Sequence, residues 1–489
     1  MKEKMNDMNK KDKSIKKKIT AFSLLTSTLF LSACGPFGNP VGTVHEGLAE
    51  PVKPIGNMNT TEVMEYANEG STANVLSEFS TADGVCTVKV TEAFFDITLD
   101  EENATPFEAG KAYGEAINTI YPDYGASLEP YLFENIKGAF PNIEDDYTPV
   151  ETRMQALFDS IEPQYQQEIQ GLAEGMGIST RGIKPDGILS VEELMIAQMV
   201  PDCLRNTACS GLALWGDKTD TSDMIGVRCL EWALGSDNSM CKIQTVLRIK
   251  NKEKSITVFS FLGVMDVISG VNDNGVFAGM LDMYTDQRFV YEGKKCYSFA
   301  IRHALEEFET AKEVGEYLVS ESPNFTFSHN VMITDGKEAY CAEDACGEAI
   351  QNGKAAALLR DCDTPLMEDL SWDSPDSLCI VNSYVTKGNY DFMSGVEVNV
   401  IRFAKYNQWV KEKDSFDVKD VKNMMTKEKT DVDLFGLPIV QNVHRDNLTQ
   451  MIILDYHNGS VQVAFTGPEG VTDKPVFYET AELPRVSAK

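Results

Sequence analysis

The spacing of apolar residues changes character twice along the chain. Residues 35–60 are rich in Gly and Pro with no apolar period and read as a tether. Residues 61–100 carry short alternations, and "GVCTVKV" around Cys86 predicts a strand. Over 106–205 the apolar residues fall at three- and four-residue spacing, clearest in Glu108–Ile120 and Met154–Met176, which predicts helices. Ser190 with Glu193 forms a capping box for another helix, "SVEELMIAQMV".

From Cys209 the pattern becomes short apolar runs: "CSGLALWG", "MIGVRCLEW", "IQTVLRI" and "SITVFSFLG". "GVNDNGVFAGMLDM" reads as strand, tight turn, strand. One helix follows, with Ile301, Leu305, Phe308, Ala311, Val314 and Leu318 on a single face. Strands resume at "HNVMITDG" and "EAYCAED", residues 353–377 read as an irregular insertion, and "SLCIVNSY" is a further strand. "VNVIRFAKYNQWVKE" and "DVKDVKNMM" predict helices, and a hairpin closes over Asn458-Gly459. The expected organisation is a mostly helical lobe over 61–208 and a strand-rich α+β lobe over 209–489. No internal repeat is visible.

Composition narrows the function classes. The 489 residues are 43% hydrophobic, so the chain can bury a large core. Lys plus Arg total 44 against 75 Asp plus Glu, a net charge of -31, which argues against a nucleic-acid partner. The 11 Cys are scattered with no CxxC pair, and the 5 His are dispersed, so a zinc ribbon or disulfide framework is disfavoured. There is no HExxH, GxSxG or Walker loop. "PDGILSVEEL" imitates half an EF-hand, but Gly182 and Lys184 stand where carboxylates belong, so a turn and a capped helix explain it better.

The charge is distributed unevenly at the N-terminus. Eight Lys lie in residues 1–18, followed by an uncharged stretch from Ile19 to Phe30. This is a positive region followed by a short apolar one, too short for a comfortable membrane span. It ends in Leu31-Ser32-Ala33-Cys34, which resembles the bacterial lipobox, where a signal peptide is cut before a lipid-bearing Cys. That implies a signal peptide over 1–33, a tether over 34–60 and a lipid on Cys34. The protein would then sit on the extracytoplasmic face of a bacterial membrane. A single acyl chain anchors weakly, so stable attachment would need more than one.

Cys209 is the residue with the clearest candidate chemistry. It follows the small residue Ala208 and opens the strand-rich lobe. The next strand carries Arg228 and, three residues on, Glu231. An Arg beside a thiol favours the thiolate. "C-S-G-L-A-L…G-V-R-C-L-E-W" resembles the start of the catalytic chain in the N-terminal-nucleophile (Ntn) cysteine hydrolases, the choloylglycine, penicillin V and penicillin acyltransferase group. Four further blocks follow in the family's order: "GVNDNGVFAGMLDM", "SHNVMITDGKEAYCAED", "SLCIVNSY" and "VNVIRFAKYNQW". Departures are Glu231 for the usual Asp, Asp282 for an Asn, Val381 for a Thr and Ile401 for a Ser.

The resemblance implies an αββα Ntn sandwich after a helical precursor lobe, with self-cleavage between Ala208 and Cys209. It implies a hydrolase or acyltransferase acting on a small-molecule N-acyl amide through an acyl-thioester on Cys209. Arg228 would sit beside the thiol, Glu231 would orient the Cys209 amine, Asn382 would donate to the oxyanion, and Arg402 would brace the site. Asp282 would contribute its backbone N–H or, alternatively, a side chain held protonated by an apolar pocket. No metal or organic cofactor is implied, and oligomeric state is left open. The alternative is a catalytically inactive, lipid-anchored binding protein on the same fold.

Overall fold

In a computed structural model, the described residues run from 70 to 485, except 205–206, 253, 284–288, 347–352, 354–355, 368–369, 390–395, 427–446 and 473. The predicted signal peptide, tether and Cys34 lie outside them. The described residues within 70–139 and 143–485 belong to one compact unit.

Two sheets build the α+β fold. The strands are β1 (Val75–Ser80), β2 (Cys86–Thr91), β3 (Phe95–Asp100), β4 (Thr207–Leu214), β5 (Ile225–Trp232), β6 (Gln244–Lys250), β7 (Ile256–Phe261) and β8 (Ser269–Asn272). They continue with β9 (Phe277–Asp282), β10 (His329–Thr334), β11 (Ala339–Asp344), β12 (Leu358–Arg360), β13 (Ser377–Val381), β14 (Leu448–Asp455), β15 (Ser460–Phe465) and β16 (Phe477–Glu482). The larger sheet has the order β1-β2-β3-β6-β7-β8-β9-β10-β11-β12, and the smaller β13-β4-β5-β14-β15-β16.

The layers run helix, sheet, sheet, helix. Helices Tyr297–Glu307 and Ala311–Glu321 lie against β8 to β12 of the larger sheet. Helices Val396–Lys411 and Val418–Met425 lie against the smaller one. There Phe403, Tyr406, Val410, Val421 and Met424 share an apolar cluster with Leu212, Val227 and Ile453. β4 meets β9 between the sheets. With both faces covered, β5 and β14 are buried at every position, which is why they read as apolar runs rather than alternations.

Several expectations change in the fold. The strand predicted around Cys86 is β2, but β1 to β3 do not stay with the helices: they extend the larger sheet by parallel pairing of β3 with β6. The single helix expected over Ile301–Leu318 is two, because Thr310 caps a new helix through a box with Glu313. Met154–Met176 likewise divides into Thr148–Phe158 and Pro163–Gly175, with Pro163 opening the second. The insertion at 353–377 contains β12, whose Arg360 pairs with Glu343 across the sheet. Among the described residues, no helix is long and apolar enough to cross a membrane.

Candidate active site

The site forms where β4, β5, β9 and the end of β13 converge. β4 pairs with β5 so that Ala208 faces Glu231, Cys209 faces Leu230 and Gly211 faces Arg228. β13 pairs with β4 on the other side, Val381 against Ser210, which delivers Asn382 beside Cys209. Cys209, Arg228, Glu231 and Asn382 are all 0% exposed, so every polar contact among them is made away from water.

Three side chains meet three atoms of Cys209. Arg228 Nη2 donates to Sγ at 3.2 Å and to the Met280 carbonyl at 2.6 Å. The Cys209 backbone N–H donates to Asn382 Oδ1 at 2.7 Å. Arg402 Nη1 donates to the Cys209 carbonyl at 3.2 Å and lies 3.4 Å from Asn382 Oδ1. Asn382 Nδ2 in turn donates to the Asp282 carbonyl at 2.6 Å.

Strand geometry separates the two charged residues of β5. Positions three apart in a strand point to opposite faces. Arg228 therefore turns between the sheets, toward Cys209 Sγ and β9. Gly279 in β9 makes room for it, since a Cβ there would stand 3.0 Å from Arg228 Nε. Glu231 turns to the helix layer and pairs with Arg402 Nη2 from helix Val396–Lys411. The nitrogen of Cys209 is thus held by Asn382, whereas the sequence assigned its orientation to Glu231.

The electrostatics also revise one expectation. Burial pushes the Cys209 thiol up to about 11, although Arg228 and the Glu231 backbone N–H both pull it down. Removing water costs a thiolate more than one guanidinium returns, so burial opposes the thiolate that the Arg alone would favour. Burial also lowers the Arg228 pKa, with the thiol opposing that shift. Arg228 Nε and Nη1 have no hydrogen-bond partner among the described residues. Arg402 is different: burial works against its charge, but Glu231 leaves its pKa raised.

Some site residues escaped the sequence reading. Tyr406 donates to Ser210 Oγ at 2.9 Å. Asn399 donates to the Asn382 carbonyl and to Ser383 Oγ, both at 3.0 Å. These residues flank Arg402 at helical spacings of three and four, a signal present in "VNVIRFAKYNQW". Tyr297 donates to Asp282 Oδ1 at 2.9 Å, and nothing in its local sequence marks it. Among the described residues, no three His, Cys, Asp or Glu stand together where they could hold a metal ion.

No family model matches the chain, and no curated protein matches its sequence. Solved structures do. A Caenorhabditis elegans N-acylethanolamine-hydrolyzing acid amidase ortholog aligns over 50% of this chain and 92% of its own, at 14% identity and TM-score 0.36. Penicillin V acylase from Agrobacterium tumefaciens aligns over 53% and 83%, at 10% identity and TM-score 0.30. A variant of conjugated bile acid hydrolase from Clostridium perfringens aligns over 57% and 99%, at 12% identity and TM-score 0.28.

Proposed function

We propose that this chain is a self-processing amide hydrolase or acyltransferase with Cys209 as an N-terminal nucleophile. The observation that supports it is the convergence of Arg228, Asn382 and Arg402 on the Sγ, N and O atoms of one buried cysteine.

In the first step Cys209 Sγ attacks the Ala208 carbonyl carbon. The C–N bond breaks, the nitrogen takes the thiol proton, and a thioester remains. Water then attacks the thioester, releasing the Ala208 carboxylate and a free Cys209 thiol and amine. That amine has an intrinsic pKa near 8, so it can accept the thiol proton during catalysis. One residue supplies both nucleophile and base. Attack on a substrate amide gives an acyl-thioester and a protonated leaving amine, and water or an acceptor amine removes the acyl group. The substrate class is an N-acyl amide with an apolar acyl part. A lipid on Cys34 would hold this activity at the outer face of the membrane.

Full burial of Cys209 favours a second reading, an inert, lipid-anchored binding protein on the same fold. Incubation with N-acyl amides separates the two. The proposal expects wild type to release the carboxylic acid and to carry a transient acyl adduct on Cys209, with Cys209→Ala at background. Equal release by both proteins, or an adduct on another residue, would contradict it.

A further inference from the structure

Asp282 is held at two points. Its carbonyl accepts from Asn382 Nδ2 at 2.6 Å, and its carboxylate accepts from the Tyr297 hydroxyl at 2.9 Å. Tyr297 is fully buried at the first residue of helix Tyr297–Glu307. Its ring stacks on His329 with centroids 4.0 Å apart and planes within 17°. His329 is itself fixed, with Nδ1 2.9 Å from the Phe327 carbonyl and Nε2 3.3 Å from Asp344 Oδ2. The first turn of the helix is pinned by Asp202, which accepts from Tyr297 N at 2.6 Å and from Ser298 Oγ at 2.6 Å.

The orientation of Asn382 depends on this arrangement. An amide side chain can flip and exchange its oxygen and nitrogen. Here the Cys209 N–H requires an oxygen on one side, and the Asp282 carbonyl requires a nitrogen on the other. Asp282 is the last residue of β9, paired with His329 of β10, and the ladder does not continue past it. The Tyr297 hydroxyl adds a restraint there by anchoring the side chain. With one amide hydrogen committed to Asp282, Asn382 presents its second hydrogen in a fixed direction.

We infer that Tyr297 is a positioning residue for the Asn382 amide, acting through Asp282. The inference rests on Cys209 being the nucleophile. It also gives Asp282 a role in which its side chain serves as an acceptor for Tyr297. Asp202 ties the segment upstream of the Ala208–Cys209 bond into the same arrangement.

The test is Tyr297→Phe in the full-length chain, assayed with N-lauroyl-7-amino-4-methylcoumarin beside Asn382→Ala and the double variant. The expected result is a kcat lower by roughly 10- to 100-fold, the scale seen when a partner behind an active group is removed. KM and the melting temperature should stay near wild type, a split that general loosening of the fold would not give. The double variant should be no slower than Asn382→Ala alone, because both changes act on one donor. A crystal structure of Tyr297→Phe gives a readout independent of turnover, in which Asn382 Nδ2 should leave the Asp282 carbonyl. Unchanged kcat, multiplied losses in the double variant, or an intact Asn382–Asp282 contact would overturn the inference. A wild-type chain inert toward the probe would count against the enzymatic reading instead, and the crystal structure would then decide the positioning role alone.

Discussion

Asn382→Ala is expected to lower turnover of an N-acyl amide by roughly 100- to 1000-fold, the usual consequence of deleting one oxyanion donor. The side chain is fully buried and both ends are used. Oδ1 holds the Cys209 nitrogen, and Nδ2 gives one hydrogen to the Asp282 carbonyl, leaving a second for developing negative charge. The Ala variant also strands two backbone groups, at about 1–3 kcal/mol each, so stability will fall as well. Asn382→Asp keeps the acceptor for Cys209 but sets a buried carboxylate oxygen against the Asp282 carbonyl where the donor was, so its kcat should fall at least as far and its stability should fall with it. Steady-state kinetics and denaturant melts on both variants provide the check. A near-normal kcat in Asn382→Asp would remove the side-chain donor from the mechanism.

The second large effect is on folding. Arg402→Met should destabilise the protein by about 3–5 kcal/mol, because it takes a guanidinium partner away from the buried Glu231 carboxylate. Glu231 is 0% exposed and Arg402 is 1% exposed, so water cannot replace the lost partner. Adding Glu231→Leu should recover most of that loss, since a buried pair replaced by apolar side chains of similar volume is often neutral or better. Activity should not return, because Arg402 also donates to the Cys209 carbonyl. Denaturant unfolding measures the first expectation and turnover the second. Full activity in the stable double variant would reduce the pair to a structural support.

Much of the fold was legible where local chemistry decides it. The capping box at Ser190 and the hairpin turn at Gly459, with φ +71°, carry their own signals. The strands after Cys209 were visible because burial on both faces leaves nearly continuous apolar runs. The parallel pairing of β3 with β6 was not visible, since it joins segments about 150 residues apart with no local mark of the partner. The helix break at Thr310 could have been read from Thr310 and Glu313, but one unbroken apolar face outweighed it.

The candidate site divides in the same way. Cys209 and Arg228 stood out by residue type and Asn382 and Arg402 through the family resemblance; pairing across β4, β5 and β13 brings the first three together, and helix Val396–Lys411 delivers Arg402. Their partners did not follow from residue type. Spacing of three in β5 sends Glu231 to the helix layer, which the motif alone does not announce. Tyr297 reaches Asp282 only because its helix packs on the larger sheet.

The central claim is that Cys209 becomes a chain terminus. Intact mass and N-terminal sequencing of the purified wild type and Cys209→Ala test it most directly. Wild type should yield a chain beginning at Cys209 that remains associated with the upstream chain, while Cys209→Ala stays whole. A wild-type chain that hydrolyses amides while uncut, or a Cys209→Ala chain still cut after Ala208, would contradict the account.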